Sequence, residues 1–146
     1  MKLSETPKNF VKCGLCGWGF ECIWTGLHSA LKKGEKTCLC RTSLWMFPIY
    51  GLGVFLGPIC RELDRWLGDE NSIHLKDRLW RHGINDMVLI FTTEYITGSF
   101  LRSAGICPWD YTGRLLSIDG LIRLDFAPFW FFAGLLFEWL TLAKKR

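Results

Sequence analysis

Apolar residues gather along this chain in four blocks. Thr42–Cys60 holds no charged residue. Cys13–Leu31 holds only Glu21, Met87–Leu101 only Glu94, and Phe126–Leu142 only Glu138. A helix that crosses a bilayer needs roughly 17–25 mostly apolar residues. Two blocks fit as they stand. The third borrows the amphipathic shoulder Trp80–Asp86, and the fourth extends back to Leu121. Helices on the surface of a soluble protein show an apolar stripe and a polar face; the stretches 44–60 and 126–137 show no polar face. The pattern predicts an all-α, integral membrane four-helix bundle, one domain over residues 1–146. Its spans are expected at about 13–31, 44–60, 82–101 and 121–142.

Composition adds less than distribution. A hydrophobic share of 49% and an aromatic share of 15% are high for a soluble domain. The mean hydropathy of +0.15 is diluted by charged stretches and decides little. Lys and Arg are more numerous at the termini and in the middle loop than in the other two loops, which predicts cytoplasmic termini. The net charge of +4 suits anionic lipid headgroups. No basic stripe interleaves with aromatics, so nucleic acid is not an expected partner. The expected partners are the lipid bilayer and a second copy or another membrane subunit. The polar start Met1–Lys12, with no small-residue cleavage site after it, does not read as a cleaved signal.

The middle segment 61–82 alternates charges with Leu63, Trp66, Leu67, Leu75, Leu79 and Trp80, and Gly68-Asp69-Glu70-Asn71 divides it. It predicts two helix ends joined by an interfacial turn, with Trp66 and Trp80 at headgroup depth. Of the seven cysteines, Cys13-x-x-Cys16 has no second CxxC and no His at ligand spacing, and Cys38-x-Cys40 would join it in a metal site only if the fold brought the two pairs together. No metal and no cofactor are expected.

The polar residues inside the spans are the candidates for chemistry. A carboxylate at the bilayer centre costs about 2.5–3.5 kcal/mol, and each Leu, Ile or Phe returns only about 0.3–0.6. Glu94 is therefore expected to face the bundle interior. Helical spacing sets Asp86, Ile90, Glu94 and Gly98 on one face, with Thr93 and Thr97 beside it. Glu21, Glu94, Asp86 and Thr97 are the candidate intramembrane binding residues for a proton, cation or polar substrate. The plainer alternative is that these groups only fix helix packing, for about 0.6 kcal/mol each. Glu138, close to the C-terminal Lys144-Lys145-Arg146, is expected to snorkel to the surface, and His28 to lie at the interface. The second span is interrupted by Pro48 and Pro58, with Gly51, Gly53 and Gly57 between. This predicts a kink and, at Gly53-x-x-x-Gly57, a close helix contact, the alternative being a broken helix that lines a binding site. The loop Trp109-Asp110-Tyr111 is a candidate motif, either an interfacial anchor with Asp110 capping a turn or a cover over Glu21 and Glu94. Asp119 is expected to cap the last helix.

Several segments carry a resemblance in order: Gly17-Trp18-Gly19-Phe20-Glu21, Phe47-Pro48-Ile49-Tyr50-Gly51-Leu52-Gly53, Thr93-Glu94-Tyr95-Ile96-Thr97-Gly98, Trp109-Asp110-Tyr111 and Asp119-Gly120. They resemble the ABC-transporter type IV (CmpB-like) family of small membrane proteins, whose animal relatives are called transmembrane protein 229. The resemblance runs from about Gly14 to Leu140. It implies a multi-span membrane protein with acidic residues at Glu21 and Glu94. The chain departs from the family pattern at Ser117, where Asn is usual, and at Leu121, where a basic residue is common. Both departures weaken the case for an anion-binding loop.

No GxxxxGK[ST], GxSxG or HExxH motif occurs, so the chain has no phosphate loop of its own. The expectation is a transporter or permease component with an intramembrane acidic site. The alternatives are a membrane-embedded interaction protein without its own site, and a lipid-acting enzyme using the carboxylates as acid and base.

Overall fold

The structure, a computed structural model, describes residues 5–34, 36–68 and 74–142. Helix α1 (Thr6–Lys33) starts with Pro in its first turn, where a missing N–H costs nothing, and ends at Gly34 in the left-handed conformation. Helix α2 (Met46–Gly51) passes through a 3-10 turn (Leu52–Phe55) into α3 (Leu56–Trp66). Helix α4 (Leu75–Ser103) follows, and then a hairpin in which β1 (Ser117–Ile118) pairs antiparallel with β2 (Ile122–Arg123). A 3-10 turn (Leu124–Phe126) leads into α5 (Ala127–Thr141).

Two packed pairs make the bundle, α1 against α2 and α4 against α5, and α3 joins α5. Small residues let the backbones approach. A Cβ at Gly17 would collide with Tyr50, and one at Gly134 with Asp86. One core cluster holds Phe91, Ile122, Trp130 and Ala133; the other holds Cys13, Leu56 and Phe137. Tyr50 and Ile90 pack against both clusters and tie the two pairs together.

The all-α expectation holds apart from the short hairpin. The expected spans need correction: no helix among the described residues is long and apolar enough to cross a membrane. The expected spans 13–31 and 82–101 lie inside α1 and α4, and Glu21 in the one and Asp86 and Glu94 in the other lower their apolar character. The expected span 44–60 is broken by the 3-10 turn. The break falls just ahead of Pro58, which has no N–H to offer the carbonyl one turn back. Pro48 sits in the first turn of α2, where proline is tolerated, so of the two prolines expected to interrupt the span it is Pro58 that the break adjoins. The expected span 121–142 keeps helix only from Ala127, because Ile122–Arg123 is strand. Gly53 does provide a close contact, against Phe137 at 3.0 Å from a notional Cβ. Trp66 and Trp80 are exposed, while residues 69–73 between their helices and Lys144, Lys145 and Arg146 lie outside the described residues.

Candidate functional site

A chamber of about 800 Å³ lies between α1, α2, α4, α5 and the segment joining α4 to α5. Glu21 from α1 and Glu94 from α4 both line it, with Tyr50, Trp109, Tyr111, Phe129 and Trp130. Glu21 Oε2 accepts a 2.7 Å hydrogen bond from Thr42 Oγ1. Tyr50 is within electrostatic reach of Glu21, Glu94 and Tyr111, so the four polar groups form one connected set. Glu94 is only 8% exposed, and its Oε2 has no hydrogen-bond partner. Trp130 Nε1 lies beside that carboxyl, also without a well-formed hydrogen bond. A buried, unpartnered carboxylate is costly. The group must carry a proton or meet a cation. A smaller cleft of about 50 Å³ shares Tyr50, Glu94 and Trp130 with the chamber.

The α4–α5 segment covers this chamber. Trp109 Nε1 donates to the Leu121 carbonyl at 2.9 Å, which holds the indole over Gly98. Asp110 Oδ1 accepts from Thr112 N at 2.9 Å and from Thr112 Oγ1 at 2.6 Å, the local turn expected of it. These bonds to the charged form hold the Asp110 carboxyl below its ordinary value. Burial, followed by the nearby Glu94 and Glu21, pushes the Tyr111 phenol upward. Arg123 lies 4.4 Å from the Phe126 ring centroid and 5.7 Å from that of Tyr111, and is paired with Asp125. Asp119 is not a helix cap. With Gly120 it forms the hairpin turn, at φ 51° and 68°, the Asp-Gly pairing that such turns favour. Its Oδ2 instead accepts a 2.7 Å hydrogen bond from Tyr95.

A second polar cluster lies elsewhere, between α3, α4 and α5. His82 Nε2 is 2.9 Å from Asp64 Oδ2, and His82 Nδ1 is 2.9 Å from Glu138 Oε1. Arg81 forms a 2.7 Å ion pair with Asp64 Oδ1. Cys60 Sγ donates to Asp86 Oδ1 at 3.3 Å. Asp64, His82 and Asp86 are all under 9% exposed.

The structure thus brings Glu21 and Glu94 together, with Trp109 and Tyr111 on the same wall. Asp86 is on the predicted face of α4 but belongs to the second cluster. Thr97 is half-buried and spends its hydroxyl on the Thr93 carbonyl at 2.6 Å, and Asp110 is exposed. His28 lines the chamber. Glu138 does not snorkel; its side chain is 12% exposed and turned to His82. Sequence reasoning missed Tyr50, Trp130, Asp64 and His82. The spacing that could have flagged the last two is one turn of helix, Cys60 to Asp64 and His82 to Asp86.

A family model described as "Putative ABC-transporter type IV" matches residues 8–143. No solved structure matches the chain.

Proposed function

From the premise that the chain belongs to this ABC-transporter type IV family, we propose that it is a membrane-embedded transport component that binds a small organic cation in its chamber. The observation that carries the reading is the pairing of Glu94, buried and unpartnered at Oε2, with Glu21 inside one aromatic-walled chamber. Two carboxylates supply charge complementarity. Tyr and Trp faces attract an ammonium group by about 0.5–2 kcal/mol each when water is excluded. The volume suits a ligand of small-molecule size.

Placement in the bilayer is supported by an inside-out distribution of side chains. Asn9, Asp64, His82, Asp86 and Glu94 are buried, while Leu15, Ile23, Leu31, Val88, Ile96, Phe100 and Phe132 are exposed. Averaging along a helix hides this arrangement, because the polar face turns inward. So many exposed apolar side chains call for lipid or a partner chain to cover them. We place the termini on the cytoplasmic side, following the distribution of Lys and Arg.

Two measurements test the reading. Membranes washed with alkaline carbonate should retain the chain; release into the wash would remove the bilayer placement. Purified protein in mild detergent should bind tetraethylammonium, seen as a change in tryptophan fluorescence. Glu94→Gln should weaken that binding on the order of tenfold or more without altering the retained fraction. Equal affinity in the variant would refute the cation site.

A further inference from the structure

Three helices assemble a second set of ligating side chains that the chamber does not use. Cys60 and Asp64 stand one turn apart on α3, His82 and Asp86 one turn apart on α4, and Glu138 comes from α5. None of the five lines the chamber. The Cys60 sulfur, a His82 ring nitrogen and a Glu138 carboxyl oxygen all lie within 4.8 Å of one another. Asp86 is 0% exposed, and its Oδ2 has no hydrogen-bond partner. Glu138 is within interaction range of that carboxyl. Asp86 Oδ2 is thus a fully buried oxygen whose ligating capacity is unused, on a side chain already in contact with Cys60.

The imidazole is oriented for the same purpose. Its Nε2 faces Asp64 Oδ2 at 2.9 Å, and Asp64 is itself paired with Arg81 at 2.7 Å. At 2.9 Å from Glu138 Oε1, Nδ1 shares a hydrogen bond with that carboxylate in the metal-free site. A bound cation displaces that proton to solvent, and with the other proton on Nε2, donated to Asp64, the Nδ1 lone pair is left for the metal. A carboxylate behind the distal nitrogen is the usual support of a metal-bound histidine.

We propose that Cys60 Sγ, His82 Nδ1, Asp86 and Glu138 form a four-ligand site for a zinc-class divalent cation, with Asp64 and Arg81 as positioning residues. One sulfur, one nitrogen and two oxygens match the ligand set of tetrahedral zinc. Zinc bonds of about 2.0–2.3 Å set tetrahedral ligands roughly 3.3–3.8 Å apart. The Cys60, His82 and Glu138 atoms, at most 4.8 Å apart, need to close by no more than about 1–1.5 Å, and Asp86 Oδ1 already lies 3.3 Å from Cys60 Sγ. On binding, the Cys60 thiol gives its proton to solvent and coordinates as thiolate. The ligands come from three separate helices and form no short motif, so the sequence alone carries no signal for this metal.

The test uses the full chain in mild detergent, stripped with chelator and titrated with Co²⁺ and then Zn²⁺. The expected result is one equivalent of cobalt with a sulfur-to-cobalt charge-transfer band, displaced by zinc. Cys60→Ser should lose the band, whereas Cys13→Ser and a Cys38→Ser/Cys40→Ser double variant should keep it. Glu138→Gln, which spares the cysteine, should weaken cobalt binding by on the order of tenfold or more. Asp64→Asn should weaken it by roughly 10–100-fold and keep the band. Absence of a band, or a band that survives Cys60→Ser, would overturn the proposal. Unchanged affinity in Glu138→Gln would do the same. The result does not depend on whether the chamber binds a cation.

Discussion

Asp86 and Glu94 occupy one face of α4, both under 9% exposed, yet the first meets Cys60 and the second opens on the aromatic chamber. Eight residues of helix separate them by about 12 Å. Their substitutions should therefore be separable. Glu94→Gln is expected to reduce tetraethylammonium binding and leave cobalt binding intact, and Asp86→Asn the reverse. Parallel titrations of the two variants check this; loss of both activities in either variant would show a single coupled site.

Gly134 and Gly19 make a contrasting pair. A Cβ at Gly134 overlaps the Asp86 side chain, while one at Gly19 meets nothing within 4 Å. Gly134→Ala is expected to destabilise the protein by about 1–3 kcal/mol. Gly19→Ala should be neutral or stabilising by up to about 1 kcal/mol, since alanine is the better helix former. Thermal unfolding in detergent reads both signs.

The Asp110 turn depends on ionisation. Hydrogen bonds from Thr112 hold the carboxyl below its ordinary value. Its contribution is therefore complete above the unfolded value of about 3.9 and is lost as pH falls through the lower folded one. Carbon-13 titration of the Asp110 carboxyl should show a midpoint below that of a model peptide. Thr112→Ala removes the hydroxyl donor and should move the midpoint upward; an unmoved midpoint would exclude the hydroxyl as a cause.

Cys22 on α1 and Cys40 in the following loop are within interaction range, and both are free thiols. Copper–phenanthroline should oxidise the pair to an intramolecular disulfide, seen as faster migration on a non-reducing gel. The shift is expected to vanish in Cys40→Ser and to persist in Cys107→Ser. A shift that survives Cys40→Ser would point to another pairing.

Helical periodicity carried part of the site. The spacing Asp86–Ile90–Glu94–Gly98 identified the inward face of α4, and the Asp110 turn follows from local side-chain chemistry. Two things were not legible. Glu138 was placed by its distance from the terminal lysines, whereas His82 across the bundle decides where it points. Likewise, Pro48 and Pro58 mark the second span as interrupted, but which proline breaks it, and that the break is a 3-10 turn, depends on the packing around it. Which faces of separate helices meet is a tertiary fact that periodicity along one helix does not contain.

The 3-10 turn Leu52–Phe55 also sets an angular phase. It lies between Tyr50, which faces the chamber, and Cys60, which faces the second cluster. Each residue of 3-10 helix advances about 120° around the axis, against about 100° in an α-helix. Over the four residues of this turn the difference accumulates to roughly 80°. Rewound as ordinary α-helix, the same segment would aim Tyr50 at Glu21 only by swinging Cys60 and Asp64 away from α4. The local pitch is what allows one segment to face two sites.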